Sequence, residues 1–498
     1  MICQEIDGGK FCLLVDEARD ESNKEQMSIF LRFVNHDGLI IESFFGLVHV
    51  PDTISQTLKG EICSVLKHYN HDVKSIRGQC YDGAAICEAL ISKDSPYAYY
   101  VHCFAHRLQL ALMAASRGVI ALQKCFTKLC FVINVVGASS NRINQLRDAQ
   151  AEQREYIKSI CKLETGRGLN QIGTLQRAGD IRWRSHLKSV SSLIKMFSPT
   201  CEDGTGSVRG DTDSAYETIT TFDFIFILHL KKEIMEITDL LRQALQRQSQ
   251  DILNALRLVA TTKVLLQKMK DERWDGLLSH VKSFCQERTI DIPYLSSSYL
   301  SRGARACKES SDHTLEHHYR VDIFNEVINC QLIELDHRFN DSPVELLRLS
   351  ATLDPTNANE SFQSGDVCQL VEKFYPVDFN KNEKEHLKIQ LQHYEVDVFQ
   401  HPDYNNLHLF QNCTRRSTNF HLVYRVISLI LTLPVSTATT EMSFSATSLV
   451  KPRLRNKMGD EFLNDSLILY FERDLAKKIS LEIIMQDFKG IRDRRIPL

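Results

Sequence analysis

The sequence predicts a mixed α/β core, a five-stranded sheet with helices, interrupted by a large all-helical insertion, so that the chain is mostly helical overall. Three observations carry this expectation. Strand-length runs of β-branched and aromatic residues recur only up to Val101 and are bounded by turn signals. Beyond Cys103, apolar residues recur at helical spacing instead. Two of the early runs end in a carboxylate, Asp16 and Asp82.

The first run, residues 11–16, holds five unbroken apolar residues before Asp16. It is too short for a helix and fits a strand buried on both faces. An Asp at the end of such a strand sits on rigid backbone at the rim of the sheet. Residues 27–34 and 39–50 read as a strand pair joined at His36-Asp37-Gly38, since Asp-Gly between apolar runs signals a hairpin. Pro51 then opens a helix with Ile54, Leu58, Ile62 and Val65 at helical spacing. Residues 73–80 form a fourth strand running into Tyr81-Asp82-Gly83, and residues 98–102 a fifth. A hairpin meander feeding parallel strands is the chain order of an RNase H-like fold.

Helical patterning continues from Cys103 to about Tyr156, and residues 166–178 read as a linker. One amphipathic stripe takes in Ile227, Leu230, Ile234, Ile237 and Leu241; a second takes in Val321, Phe324, Ile328, Leu332, Leu335 and Phe339. Residues 296–312, polar and Ser-rich, read as a disordered loop. Further helices are expected over 420–433, 435–450 and 461–471. The expected division is therefore 1–198 for the first part of the core, 199–419 for the helical insertion, and 420–498 for the last part of the core with a self-association region.

Bulk properties narrow the function classes. The 498 residues are 43% apolar and 25% charged, ordinary for a globular protein with a large core. The apolar runs are too short and too interrupted to predict a membrane span. The 15 Cys contain no Cys-x-x-Cys pair, which favours a reduced intracellular compartment over a disulfide scaffold. A net charge of −3 argues against wholesale binding of nucleic acid but leaves room for a local basic groove.

Asp16 and Asp82, delivered by two strands to a shared edge, suggest a carboxylate site for Mg²⁺, which prefers oxygen ligands and takes few protein carboxylates per ion. The competing reading makes Asp16 a strand-end cap and Asp82 a turn residue before Gly83. Glu17 and Asp20 lie close enough in sequence to be ligands too, with Glu17 expected on the opposite face. Cys103 and His106 share a helix face at their spacing, but a structural zinc site needs four ligands and no second pair stands out, so no zinc site is predicted. Arg182 beside Trp183 could hold a phosphate while the indole stacks on a base, or could be a surface Arg beside a core Trp. Glu441 follows a Ser/Thr-rich run and, taken alone, is a favourable charge in a first helical turn. Lys451, Arg453, Arg455 and Lys457 form a basic turn that could contact phosphate or simply be solvated.

These pieces in this order resemble the hAT transposase superfamily, in particular its zinc finger MYM-type protein 1-like branch with a TTF-type finger. The resemblance rests on Leu14-Val15-Asp16-Glu17-Ala18, Lys24-Glu25-Gln26, Tyr81-Asp82-Gly83-Ala84, Tyr100 through Leu110, Val135-Val136-Gly137-Ala138-Ser139, Gly179-Asp180-Ile181-Arg182-Trp183 and Thr440-Glu441-Met442-Ser443-Phe444-Ser445. It implies an RNase H-like core with a helical insertion, and an Asp-Asp-Glu triad of Asp16, Asp82 and Glu441 that binds Mg²⁺ or Mn²⁺ when the protein is active. It also implies a Cys-x-x-His element at Cys103 and His106, an Arg-Trp element at Arg182 and Trp183, a C-terminal dimerisation region, and nuclear location.

The segment beginning at Ala85 departs from the family wording, Arg184 stands where a small residue is expected, and the expected N-terminal finger is not seen ahead of the first strand. The expectation is a truncated or domesticated transposase-derived protein that dimerises and has possible DNA binding at Arg182, Trp183, Lys451, Arg453 and Arg455. The alternative is an active DDE transposase or nuclease. The expected partners are a second copy and DNA, with no membrane and no small-molecule cofactor.

Overall fold

The computed structural model describes residues 2–6, 8–81, 91–138, 217–248, 250–299, 313–340, 344–353, 362–396 and 420–491, with scattered helical positions between 140 and 214. Two compact units emerge. The first comprises Met1–His106, Gln243–Arg257 and Asp341–Leu498; the second comprises Arg107–Arg242 and Leu258–Asn340.

In the first unit, β1 (Phe11–Arg19), β2 (Glu25–Val34), β3 (Ile40–His49), β4 (Ile76–Tyr81) and β5 (Tyr99–Tyr100) form one mixed sheet in the order β3-β2-β1-β4-β5. The β1–β2 and β2–β3 pairs are antiparallel, and β1–β4 and β4–β5 are parallel. This is the five-stranded meander-then-parallel sheet expected from the sequence. The predicted turn is present: Gly38 has φ +75° and donates its amide to the Asn35 carbonyl.

β1 is longer than expected. Its ladder with β2 continues to Arg19 opposite Glu25, and the chain turns only at residues 20–24. Asp16 is therefore inside the β1–β2 ladder, opposite Ser28, and not the last residue of its strand.

The described helices are α1 (Ile2–Ile6), α2 (Ser55–His68), α3 (Phe104–Gly118), α4 (Ile120–Gly137), α5 (Phe222–Leu245), α6 (Ile252–Glu272), α7 (Trp274–Glu287), α8 (Glu326–Asn340), α9 (Val344–Ala351), α10 (Ser364–Phe374), α11 (Lys381–Tyr394), α12 (His421–Thr432), α13 (Ala438–Val450), α14 (Asp460–Phe471), α15 (Arg473–Ala476) and α16 (Leu481–Ile491). The second amphipathic stripe is corrected at its start. A π-helical stretch, His318–Asn325, precedes α8 and shifts its phase, which leaves Val321 exposed while Phe324 and Ile328 are buried.

Period-2 alternation splits the sheet into two apolar faces. Phe11, Leu13, Val15, Met27, Ile29, Leu31 and Phe45 pack with Leu58, Ile62 and Leu66 of α2. On that helix Ile54 is the exposed N-cap and not a core residue. Leu14, Phe30, Phe44, Leu47 and Cys80 pack on the other face with Cys103, Ala446 of α13, and Leu463 and Leu467 of α14. β1 is thus buried on both sides, as its unbroken apolar run requires. Residues from both ends of the chain build this second layer.

The second unit is helical. Trp274 sits edge-on to Phe226 and Phe324 at its centre, with ring centroids 5.9 and 5.5 Å away. Lys231 is buried there, with Nζ 2.5 Å from Ser116 Oγ and 4.9 Å from the centre of the Phe126 ring. By length and composition α4 is apolar enough to cross a membrane, and 33% of that window is buried, Leu122, Cys125, Leu129, Val132 and Ile133 among it. Residues 166–178 and 300–312, expected to be a linker and part of a loop, lie outside the described residues.

Candidate functional site

Asp16 shares a sheet face with Leu14, since alternate residues of a strand point the same way. That is the face covered by α13 and α14. Its neighbour across the ladder, Ser28, lies 2.7 Å from Ser443 Oγ of α13, and this contact is fully buried. The hydroxyl pair fixes α13 over the stretch of β1 that carries Asp16. Glu441 lies in the first turn of α13 and is exposed, while Asp16 is half-buried. Asp16 Oδ1 accepts the amide of Glu17 at 2.9 Å.

β4 is described up to Tyr81, which pairs with Val15, so its last described residue lies beside the residue preceding Asp16. Asp82 itself lies outside the described residues. Two carboxylates of the expected triad are therefore carried on elements that meet at one face of the sheet. Both are reached by solvent. Among the described residues no group of three or more His, Cys, Asp or Glu side chains is placed to hold a metal.

What positions α13 is the segment 434–437 before it. The Phe104 amide donates to the Val435 carbonyl at 2.8 Å, and the Thr437 amide to Cys103 Sγ at 3.3 Å. Ser436 Oγ donates to the Leu245 carbonyl at 2.7 Å. Pro434 lies against Gly78 of β4, where an added Cβ would stand 2.8 Å from Pro434 Cδ and 2.4 Å from Cys12 Sγ. Only a residue without a side chain admits this crossing.

The N-terminal turn of α13 is tied down further. Thr439 Oγ1 donates to Glu42 Oε2 at 2.8 Å, and Glu42 Oε1 accepts from Arg32 Nη1 at 2.6 Å. Arg32, nearly inaccessible, also donates to the Gln250 and Leu431 carbonyls. Burial pushes the Glu42 carboxyl up, against the pull of Arg32 and Thr439.

Cys103 and His106 supply the next element. Cys103 is fully buried, and its sulfur accepts the His106 amide at 3.4 Å as well as that of Thr437. Burial raises this thiol, but hydrogen bonds from Cys80, Thr437 and His106 outweigh it and bring its pKa down to about 7. The side chain of Cys103 thus caps the start of α3 and holds the loop leading to Glu441. The two imidazoles of His102 and His106 stack at 5.7 Å.

The remaining candidate residues separate cleanly. Glu17 stands opposite Met27, whose side chain belongs to the α2-facing cluster, as expected for the far face. Burial and then the neighbouring Glu25 push its carboxyl up. Asp20 accepts from Ser22 Oγ, from the Ser22 and Lys24 amides, and from Lys451 Nζ at 2.8 Å. Burial opposes ionisation of Asp20, but these donors, Lys451 first, hold its carboxyl far below the ordinary carboxylate range.

Lys451 is a correction to the expected basic turn. It is 1% exposed and committed to Asp20, so its ammonium does not face a phosphate. Arg453 and Arg455 are exposed in the 3₁₀ turn that follows. Arg182 and Trp183 lie outside the described residues. Sequence reasoning missed Ser443, Thr437 and Gly78. The signal that could have pointed there is Pro434, which breaks the chain between the two helices.

A family model described as ZMYM1/FAM200, RNase-like domain matches residues 1–89, the stretch that forms β1 to β4 and includes Asp16 and Asp82. A second, the hAT family C-terminal dimerisation region, matches residues 388–475, which include α12, α13, α14 and Glu441. The two matched stretches are those whose residues meet across the α13-covered face of the sheet.

Proposed function

We propose that this hAT-related, transposase-like chain works as a self-associating protein, pairing with a second copy through residues 388–475. The observation that carries the reading is the outward side of α14. Leu463 and Leu467 hold that helix to the sheet, while Phe462, Leu469 and Tyr470 stand 61, 61 and 48% exposed within the matched dimerisation region. Large apolar side chains grouped on one exposed face mark a contact surface. The decisive measurement is the sedimentation of the whole chain at micromolar concentration. A dimer converted to monomer by F462E/Y470E supports the reading, and a wild-type monomer overturns it.

The finer features belong to the same proposal: membership of the zinc finger MYM-type protein 1-like branch, nuclear location, and DNA contact through Arg453 and Arg455, with Arg182 and Trp183 contributing. Phosphate contacts show as a salt-dependent affinity. R453A/R455A should weaken duplex binding and flatten its salt slope. Unchanged binding would remove these two residues from the interface.

One observation favours a second reading, a DDE transposase or nuclease. The Ser443–Ser28 contact seats the Glu441 helix over the Asp16 strand. Asp16, Asp82 and Glu441 would hold Mg²⁺ or Mn²⁺ through carboxylate oxygens, and the ion would activate an attacking oxygen and stabilise a leaving one. The protein's part is to keep Asp16 rigid within the sheet and Glu441 at a fixed height on α13. Mg²⁺-dependent cleavage of terminal-repeat DNA that D16N abolishes would support this reading; cleavage unaffected by D16N would sink it.

A further inference from the structure

We propose that α16 docks, in a second copy of the chain, into an apolar groove beside α14, so that the two copies exchange C-terminal helices. This rests on the self-association reading and gives it a geometry.

The groove holds about 370 Å³ and is lined by Ile2, Phe44, Tyr69, Ile468, Leu469 and Leu475, among others. Its one carboxylate, Glu472, is engaged by the Phe44 amide at 3.0 Å, so it presents little free polarity. The wall formed by Ile468, Leu469 and Glu472 lies inside the stretch matched to the dimerisation region. The groove is therefore continuous with the surface on which pairing is proposed.

α16 carries the apolar face that such a groove could take. Leu481, Ile484 and Met485 fall on one helical face and are 70, 50 and 42% exposed, and Phe488 continues the same stripe. Every residue from 481 to 490 is exposed, so α16 does not fill the groove of its own copy. An eleven-residue helix is marginal in water without a packed face. Its tether is short: Ile479 lines the groove, and only Ser480 separates it from α16. That tether holds α16 at the rim, where a second copy's groove can receive it. Placing each helix in the other's groove uses the same patch twice and closes as a two-fold pair.

The native Cys3, which lines the groove, makes the test direct. M485C is introduced into the full chain and oxidised, with C3S/M485C as the control for other thiols. A covalent dimer on a non-reducing gel that forms with Cys3 and disappears with C3S is the expected result. A Cys3-dependent link that leaves the chain monomeric means α16 folds back on its own groove and overturns the exchange, as does the absence of any Cys3-dependent link. Sedimentation of L481E/I484E separates the two readings. Conversion to monomer supports exchange. A persisting dimer refutes exchange but leaves pairing through residues 388–475 standing. A wild-type monomer removes both.

Discussion

The sulfur of Cys103 accepts the backbone amide of Thr437 at 3.3 Å, joining positions 334 residues apart in sequence. The same sulfur takes the amide of His106. The Cys-x-x-His motif is thus, on the cysteine side, a backbone anchor for the loop that sets the height of α13. The two halves of the motif should then behave differently. C103A removes the acceptor of two amides in a fully buried place and should cost about 1–3 kcal/mol. H106A keeps the amide that Cys103 receives and should cost less. Urea unfolding of both variants checks this, and equal losses would refute the anchor role.

Lys451 and Asp20 form a buried ion pair at 2.8 Å, with both side chains 1% exposed. Breaking such a pair from one side leaves a desolvated charge, so K451M should destabilise by roughly 3–5 kcal/mol, with D20N/K451M recovering much of the loss. The pH dependence has a defined sign. Asp20 in the folded protein is held below its unfolded pKa of about 3.9, so its contribution is present above that pH and is lost as pH falls through the lower folded value. In K451M the carboxyl loses its ammonium donor but keeps those of Ser22 and Lys24, so its folded pKa rises and the loss of stability on acidification should be shallower than in wild type. Urea midpoints from pH 6 to 3 compare the two slopes, and equal slopes would refute the role of Lys451.

The sheet was legible because strand and helix periods leave strong marks on sequence, and because β1 had to be apolar throughout to be buried on both faces. Lys451 was not. Beside Pro452 and among exposed bases it carries every local sign of a solvated turn, and its partner Asp20 lies 431 residues away. Ser443 and Thr437 were missed for the same reason: a Ser/Thr-rich run predicts a helix start, but not which hydroxyl or amide meets β2 or α3. Asp16 was found through its position after an apolar run. The extent of its strand was misjudged because the ladder beyond it is set by β2, not by β1's own residues.

Gly78 of β4 is crossed closely by Pro434, in the segment that leads to α13. G78A would place a Cβ 2.4 Å from Cys12 Sγ and 2.8 Å from Pro434 Cδ, which neither neighbour can yield without moving a strand or a ring. Overpacking of this kind should cost about 1–3 kcal/mol. C12A removes the nearer clash but not the proline, so C12A/G78A should regain only part of that loss relative to C12A alone. Thermal melts of the four proteins check the partial rescue; complete rescue would show that Pro434 does not constrain the site.

Lys231 tests the helical unit alone. Burial first, opposed weakly by Cys125, brings its pKa down from 10.5 to about 7. A lysine whose folded pKa lies below its unfolded one binds more protons when unfolded over the interval between them, so stability rises with pH from about 7 to 10.5 and is flat below. At about 1.4 kcal/mol per pH unit the full span approaches roughly 5 kcal/mol, an upper figure because the unfolding protein also titrates elsewhere. K231M keeps much of the volume and removes the charge, and Ser116 Oγ retains the Leu112 carbonyl at 2.6 Å. The variant should be more stable than wild type at pH 7, and the gap should close as pH approaches 10. Chemical denaturation followed at the Trp274 fluorescence, across pH 7 to 10, gives both quantities. A gap that does not change with pH would mean that Lys231 carries its charge in the folded protein throughout.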